Sequence, residues 1–250
     1  MKYVMQLMAV LAVALCVSAM PGFAQQTTEN GMSNMTMEDM FVHPFLAHMS
    51  LPDPVGEVSL RVTGYRTRMN GMDGTDGMTQ GDFAVHIETA LFKRLGLHLR
   101  ADGIKYEEFS EIMLQYTVVA DKESHNGVAV FGQLSVPTGM VNSEQYKGLF
   151  GASARLTARN FMVWDGNIHY DPKDKMAEFE NAFVFRASES LYPILELRGE
   201  TDKEMTTAYL MPALKFKIND RSAIGVGFQA AILDDRDYDT QALLTYDFAF

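Results

Sequence analysis

Residues 128–136 read Val128-Ala129-Val130-Phe131-Gly132-Gln133-Leu134-Ser135-Val136. Val128, Val130, Gly132, Leu134 and Val136 fall on one face, and Ala129, Phe131, Gln133 and Ser135 on the other. This is the period of two that a pleated strand imposes, because successive side chains point to opposite sides. Upstream, Val58, Leu60 and Val62 alternate with Ser59, Arg61 and Thr63. Phe83, Val85 and Ile87 alternate with Ala84, His86 and Glu88, and Leu97, Leu99 and Ala101 with His98, Arg100 and Asp102. Ile112, Leu114, Tyr116 and Val118 alternate with Met113, Gln115, Thr117 and Val119.

Downstream, Phe150, Ala152, Ala154 and Leu156 face away from Ser153 and Arg155, and Met162, Trp164, Ile168 and Tyr170 from Asp165, Asn167 and His169. Phe179, Phe183 and Phe185 oppose Glu178, Glu180 and Arg186. Leu195 and Leu197 oppose Glu196, Arg198 and Glu200, and Leu210, Leu214 and Phe216 oppose Lys215 and Lys217. Ile224, Val226, Phe228, Ala230 and Ile232 oppose Gly225, Gly227 and Gln229; Leu244, Tyr246, Phe248 and Phe250 oppose Thr245 and Asp247. These make twelve segments over residues 56–250, about 16 residues for each strand with its connection. A tilted strand of about 9–11 residues crosses a bilayer, whereas strands of soluble proteins average about 5–6.

Residues 1–24 read as a secretory signal peptide. Lys2 precedes an apolar run from Met5 to Met20, and Gly22 and Ala24 offer small residues before a cleavage site at Gln25. An anchoring helix is the weaker reading, because polar Gln25-Gln26-Thr27-Thr28 follows at once. A lipoprotein reading would need a small residue before Cys16 and finds Leu15. Cys16 is the single cysteine, so the exported chain would carry neither disulfide nor thiolate chemistry. After the signal no run approaches 18 consecutive apolar residues, and a closed barrel is then the way to span a membrane. The formal net charge of -11 argues against a nucleic-acid partner.

A soluble β-sandwich alternates too, with its apolar face inward. Strand length, export without cysteines and the aromatic ending Tyr246-Asp247-Phe248-Ala249-Phe250 favour the barrel. The expectation is all-β: a single antiparallel transmembrane β-barrel of about twelve strands, behind an irregular or short-helical, Met-rich tail over residues 25–55. Pro137 is expected at a strand end and Pro212 at a bulge, because each removes a ladder hydrogen bond. With the N-terminus in the periplasm, odd connections should be outer loops and even ones short turns. The fourth, between Asp121 and Asn126, looks longer than the outer loop near Glu107-Glu108 and breaks that trend.

The terminal Phe250, with apolar residues at alternate positions behind it (Leu244, Tyr246, Phe248), resembles the assembly signal of Gram-negative outer-membrane barrels. Leu134-Ser135-Val136-Pro137-Thr138-Gly139 resembles the Leu-x-x-Pro-Thr-Gly signature of the transporter-like outer-membrane family labelled as meta-pathway phenol-degradation proteins. Pro193 and Pro212 stand where that family tends to carry Pro-containing strands. The resemblance covers about residues 56–250 and implies a twelve-stranded type of barrel with a transport role and no catalytic residues. The signal segment implies Sec-type export, the barrel reading implies an outer-membrane location with lipid as the surrounding partner, and the C-terminal likeness to Gram-negative barrels implies the barrel-assembly machinery as the partner of the last strand.

Twelve charged or imidazole side chains are expected on the lumen face: Arg61, His86, Glu88, His98, Arg100, Asp102, Arg155, Asp165, His169, Glu196, Arg198 and Lys215. Such residues tune which solute enters a pore, or else pair with one another to fill a narrow barrel; both readings stand. Met32, Met35, Met37, Met40, His43, His48 and Met49 supply thioether and imidazole groups suited to Cu(I) or Ag(I), the cofactor alternative. The competing reading is a short amphipathic helix over residues 37–42 that plugs the barrel with adaptable methionines. The outer cluster Met69, Met72 and Met78 could join the tail only if the tail threads the lumen.

Acidic Asp73-Gly74-Thr75-Asp76-Gly77 and Asp234-Asp235-Arg236-Asp237 lack the spacing of a calcium loop. An outer-membrane hydrolase would need a Ser, a His and an acid together, and no Gly-x-Ser-x-Gly occurs. The function expected is passage of small solutes by a non-enzymatic barrel. A copper- or silver-handling envelope protein and a non-conducting structural barrel are the alternatives.

Overall fold

The computed structural model describes residues 43–47, 55, 57–69, 78–101, 109–121, 126–137, 146–158 and 161–250. Each alternating segment becomes a strand: β1 Val58–Met69, β2 Met78–Phe92, β3 Leu95–Ala101, β4 Phe109–Asp121, β5 Asn126–Pro137 and β6 Lys147–Ala158. The second half supplies β7 Met162–Asp171, β8 Met176–Phe185, β9 Leu191–Thr201, β10 Thr206–Asn219, β11 Ser222–Ala231 and β12 Thr240–Ala249. Every strand pairs antiparallel with its sequence neighbours, and β12 closes on β1 from Ser59 opposite Ala249 to Arg68 opposite Thr240. The Phe250 amide donates to the Val58 carbonyl at 3.0 Å and extends that seam by one bond. Closure leaves no unpaired edge.

Connections at one end of the barrel span 93–94, 122–125, 159–161, 186–190 and 220–221; those at the other span 70–77, 102–108, 138–146, 172–175, 202–205 and 232–239. The third and fourth connections, on which the expected exception to that trend rests, lie outside the described residues. In the seventh connection, Asp171 Oδ1 accepts from the amides of Lys173 at 2.7 Å and Asp174 at 3.1 Å, and Lys175 takes a φ of 55°. A side-chain acceptor two residues back and one left-handed residue close that turn.

Pro137 is the last residue of β5, as expected. Pro212 differs from expectation. It lies inside β10 opposite Leu195 of β9, while the β10–β11 pairing is interrupted between Leu210 and Ala213 without a change of register. The missing amide costs one local pairing and makes no bulge. The bulge of that pair lies between Lys217 and Asn219, beside the turn.

The outer face carries the apolar alternates. Val226 is 55% exposed, Phe228 51%, Leu244 52% and Phe150 55%. The inner face is buried and mostly polar, but it includes an apolar cluster of Val184, Tyr192, Ile194, Met211 and Leu243 around Phe45 and Leu46. Sequence reasoning assigned no apolar core to the lumen. Residues 43–47 are irregular and buried there. Val55 makes an isolated parallel bridge to Ala90, while residues 1–42, with the signal segment and the expected helix at 37–42, and residues 48–54 lie outside the described residues.

Candidate functional site

The barrel interior is the candidate site, and the inner parity of each strand decides what reaches it. Arg61, His86, Glu88, His98, Arg155, Asp165, His169, Glu196 and Lys215 are all buried inside. Arg100 and Arg198 share that face and are partly buried, whereas Asp102 lies outside the described residues. Among the described candidates, two differently organised walls stand out.

On the wall of β3 to β7, side chains satisfy one another. Arg155 grips Asp165 bidentately, Nε to Oδ1 at 2.9 Å and Nη2 to Oδ2 at 2.8 Å, and Asp165 is 0% exposed. A planar guanidinium fork matches a carboxylate in this way and fixes its orientation. His98 Nε2 and Gln115 Oε1 lie 3.0 Å apart, and Gln115 Nε2 donates to Ser153 Oγ at 3.2 Å. His169 stands 4.0 Å from Glu180 and edge-on to Phe131, with ring centroids 4.8 Å apart.

On the wall of β1, β2 and β9 to β12, the tail is part of the network. The Glu196 carboxylate accepts from the backbone amides of Phe45, Leu46 (3.0 Å) and Ala47 (3.3 Å). Arg61 Nη1 donates to the Phe45 carbonyl at 2.7 Å, and Lys215 Nζ to the Pro44 carbonyl at 3.3 Å. Lys215 also pairs with Asp247 at 2.5 Å and lies 4.9 Å from the centroid of the Phe45 ring. Arg61 continues to Glu88 at 3.0 Å and to Asp247 at 3.4 Å, and Glu88 faces His98 at 3.5 Å and His43 at 3.8 Å.

The Phe45 ring occupies space left by Gly225 of β11, where a Cβ would lie 2.6 Å from Phe45 Cζ, and borders Gly227, whose Cβ would stand in ordinary contact 3.5 Å from Phe45 Cε1. Beside this wall, His43, Ser59, Arg61, His86, Glu88 and Asp247 line a recess of about 250 Å³.

A second recess of about 340 Å³ opens toward the long-loop end, lined by Glu178, Glu180, Arg198, Glu200, Tyr209, Asp237 and Tyr238. Tyr238, from the last long connection, stacks on Tyr209 with centroids 4.5 Å apart and donates to Gln229 Oε1 at 2.7 Å. The Asp237 amide donates to the Tyr209 hydroxyl at 2.8 Å, pinning that loop inside the barrel. Burial pushes the Tyr238 phenol above its usual range, with Arg198 pulling the other way.

Of the metal candidates, only His43 is described; Met32, Met35, Met37, Met40, His48 and Met49 lie outside the described residues. Among the described residues, no group of three or more His, Cys, Asp or Glu side chains has a metal-holding arrangement. Met69 and Met78 face each other across the β1–β2 pair.

Sequence reasoning missed Phe45, Asp247, Gln115, Ser153, Tyr209 and Tyr238 as lumen partners. Asp247 was visible as a polar alternate within the C-terminal signal, and Gln115 and Ser153 as uncharged alternates. Phe45 carried no periodic signal. The expected assembly-signal residues Leu244, Tyr246 and Phe250 are exposed on the outer face, with Phe248 edge-on to Phe250 at 4.8 Å.

No family model matches the chain, and no curated protein matches it. Among solved structures it is similar to an outer-membrane channel from Pseudomonas putida F1, with 11% identity and a TM-score of 0.63 over 84% of this chain and 100% of that one. It is also similar to the KdgM porin in complex with disordered oligogalacturonate, at 11% identity and a TM-score of 0.58 over 76% of this chain and 99% of that one. For the NanC porin the values are 8% and 0.55, over 77% and 98%. At such identities the likeness is one of fold, so the chain adopts the closed antiparallel barrel of outer-membrane channels and porins.

Proposed function

We propose that the chain is a non-enzymatic outer-membrane barrel that passes small solutes. One observation carries this reading: a closed barrel whose exposed outer alternates are apolar and whose buried inner alternates include nine of the twelve expected charged or imidazole groups. Hydrocarbon accepts the first surface, and a wet lumen accepts the second. The resemblance of residues 134–139 to the meta-pathway phenol-degradation signature supports a transporter-like member of that kind. Under this reading Leu244, Tyr246, Phe248 and Phe250 form the strand handed to the assembly machinery after Sec-type export.

Reconstitution in planar bilayers tests the proposal. Discrete current steps, from protein whose gel migration shifts on heating, are the expected result. A heat-modifiable barrel with no conductance and no solute uptake would leave a structural role instead.

A further inference from the structure

The tail segment inside the barrel is bound as a ligand would be. Glu196 is 3% exposed, and among the described residues it accepts hydrogen bonds from the three consecutive tail amides. A buried carboxylate is costly unless donors surround it, so this wall is complete only with N–H groups supplied from outside the strands. Arg61 and Lys215, 4% and 0% exposed, aim donors at the two adjacent carbonyls. A slot for one aromatic ring is opened by Gly225 and bordered by Gly227 and Met211. Acceptor, paired donors and ring slot, contributed by β1, β9, β10 and β11, surround one short stretch of tail, residues 44–47.

We propose that this seat on the inner wall, formed by Glu196, Arg61, Lys215 and Gly225, is a solute-binding site, built for compact aromatic amides and short aromatic peptides, and that residues 43–47 are its tethered occupant. The inference rests on the channel reading for its role in transport. A solute of this class offers the same neutral amides to Glu196, the same carbonyls to Arg61 and Lys215, and a ring to the slot. It therefore competes with the tail. The tethered segment has the advantage of a high effective concentration, which a free solute meets either at high concentration or after the tail has been weakened. Solutes without the ring leave the slot open. Those with a ring and a carboxylate alone set their charge against Glu196.

The probe is N-acetylphenylalaninamide, measured by equilibrium dialysis against the refolded full chain in detergent, with N-acetylalaninamide as the ringless control. Phe45→Gly frees the slot, and this variant is expected to bind the probe at least tenfold more tightly than the unaltered chain. It should prefer the probe over the control by a similar factor. Adding Glu196→Gln should remove at least tenfold of that affinity. Gly227→Leu fills the slot from the strand and should do the same, which keeps the test decisive if the Glu196 variant fails the heat-modifiable migration check.

Equal binding by the unaltered chain and Phe45→Gly overturns the inference, as does equal binding of the two probes. In bilayers, Phe45→Gly should conduct severalfold more than the unaltered chain, with the probe blocking the current. Conductance unaffected by the probe overturns the site while the channel reading stands. Probe binding without conductance in either protein overturns the channel reading while the site stands.

Discussion

The two walls of the lumen are built from the same alternation and similar residue types, yet they satisfy their charges differently. Around β3 to β7, Arg155 closes on Asp165 and Gln115 bridges His98 and Ser153, all within the sheet. Around β9 to β12, Glu196 and Lys215 reach a segment more than 140 residues away in sequence. A buried charge must be paired or hydrogen-bonded, but the partner can come from the neighbouring strand or from a separate piece of chain. The first solution makes a fixed wall. The second makes a wall whose polar groups depend on an occupant, and only such a wall can exchange that occupant for a solute.

The sharpest way to break this contrast is to remove one partner from the fixed wall. Asp165→Leu strands a buried guanidinium and should cost about 3–5 kcal/mol of barrel stability. Urea unfolding from lipid vesicles, followed by the fluorescence of the single tryptophan Trp164, reads it out. Replacing Arg155 and Asp165 together by leucine should recover most of the loss, because no charge is then left alone. If the single and double variants are equally stable, the pair is not what holds that wall.

The matching change on the other wall is smaller and appears elsewhere. Glu196→Ala leaves three tail amides without their acceptor, a loss of about 1–3 kcal/mol. Its signature is hydrogen exchange at Phe45, Leu46 and Ala47 faster by roughly one to two orders of magnitude, with unfolding of the barrel nearly unchanged. An equal fall in barrel stability would mean that the tail is part of the core rather than a guest. The smallest effect is expected from Ser153→Ala, which removes one acceptor from Gln115 while the 3.0 Å contact with His98 remains. About 0.5–1.5 kcal/mol is the expected cost, seen by the same urea titration and without change in tail exchange.

Most of the fold was legible because period two is a local signal. Each of the twelve alternating segments lies on a strand, and the inner parity of Arg61, Glu88, Arg155, Asp165, Glu196 and Lys215 follows from counting residues. Pro212 shows where local reading fails. A proline without an amide was expected to force a bulge, but an intact pairing with β9 holds the strand in register while the β11 side goes without.

The face each strand residue takes is encoded locally, because adjacent peptide units set that alternation without reference to the rest of the molecule. Which inner residues meet is settled by long-range packing. That depends on barrel closure and register, which bring Asp247 beside Lys215 and place Phe45 over Gly225, across separations that no local period encodes. The tail shows this most plainly. Residues 43–47 carry no strand or helix pattern, and their position comes from the hydrogen-bonding needs of a carboxylate buried far along the chain.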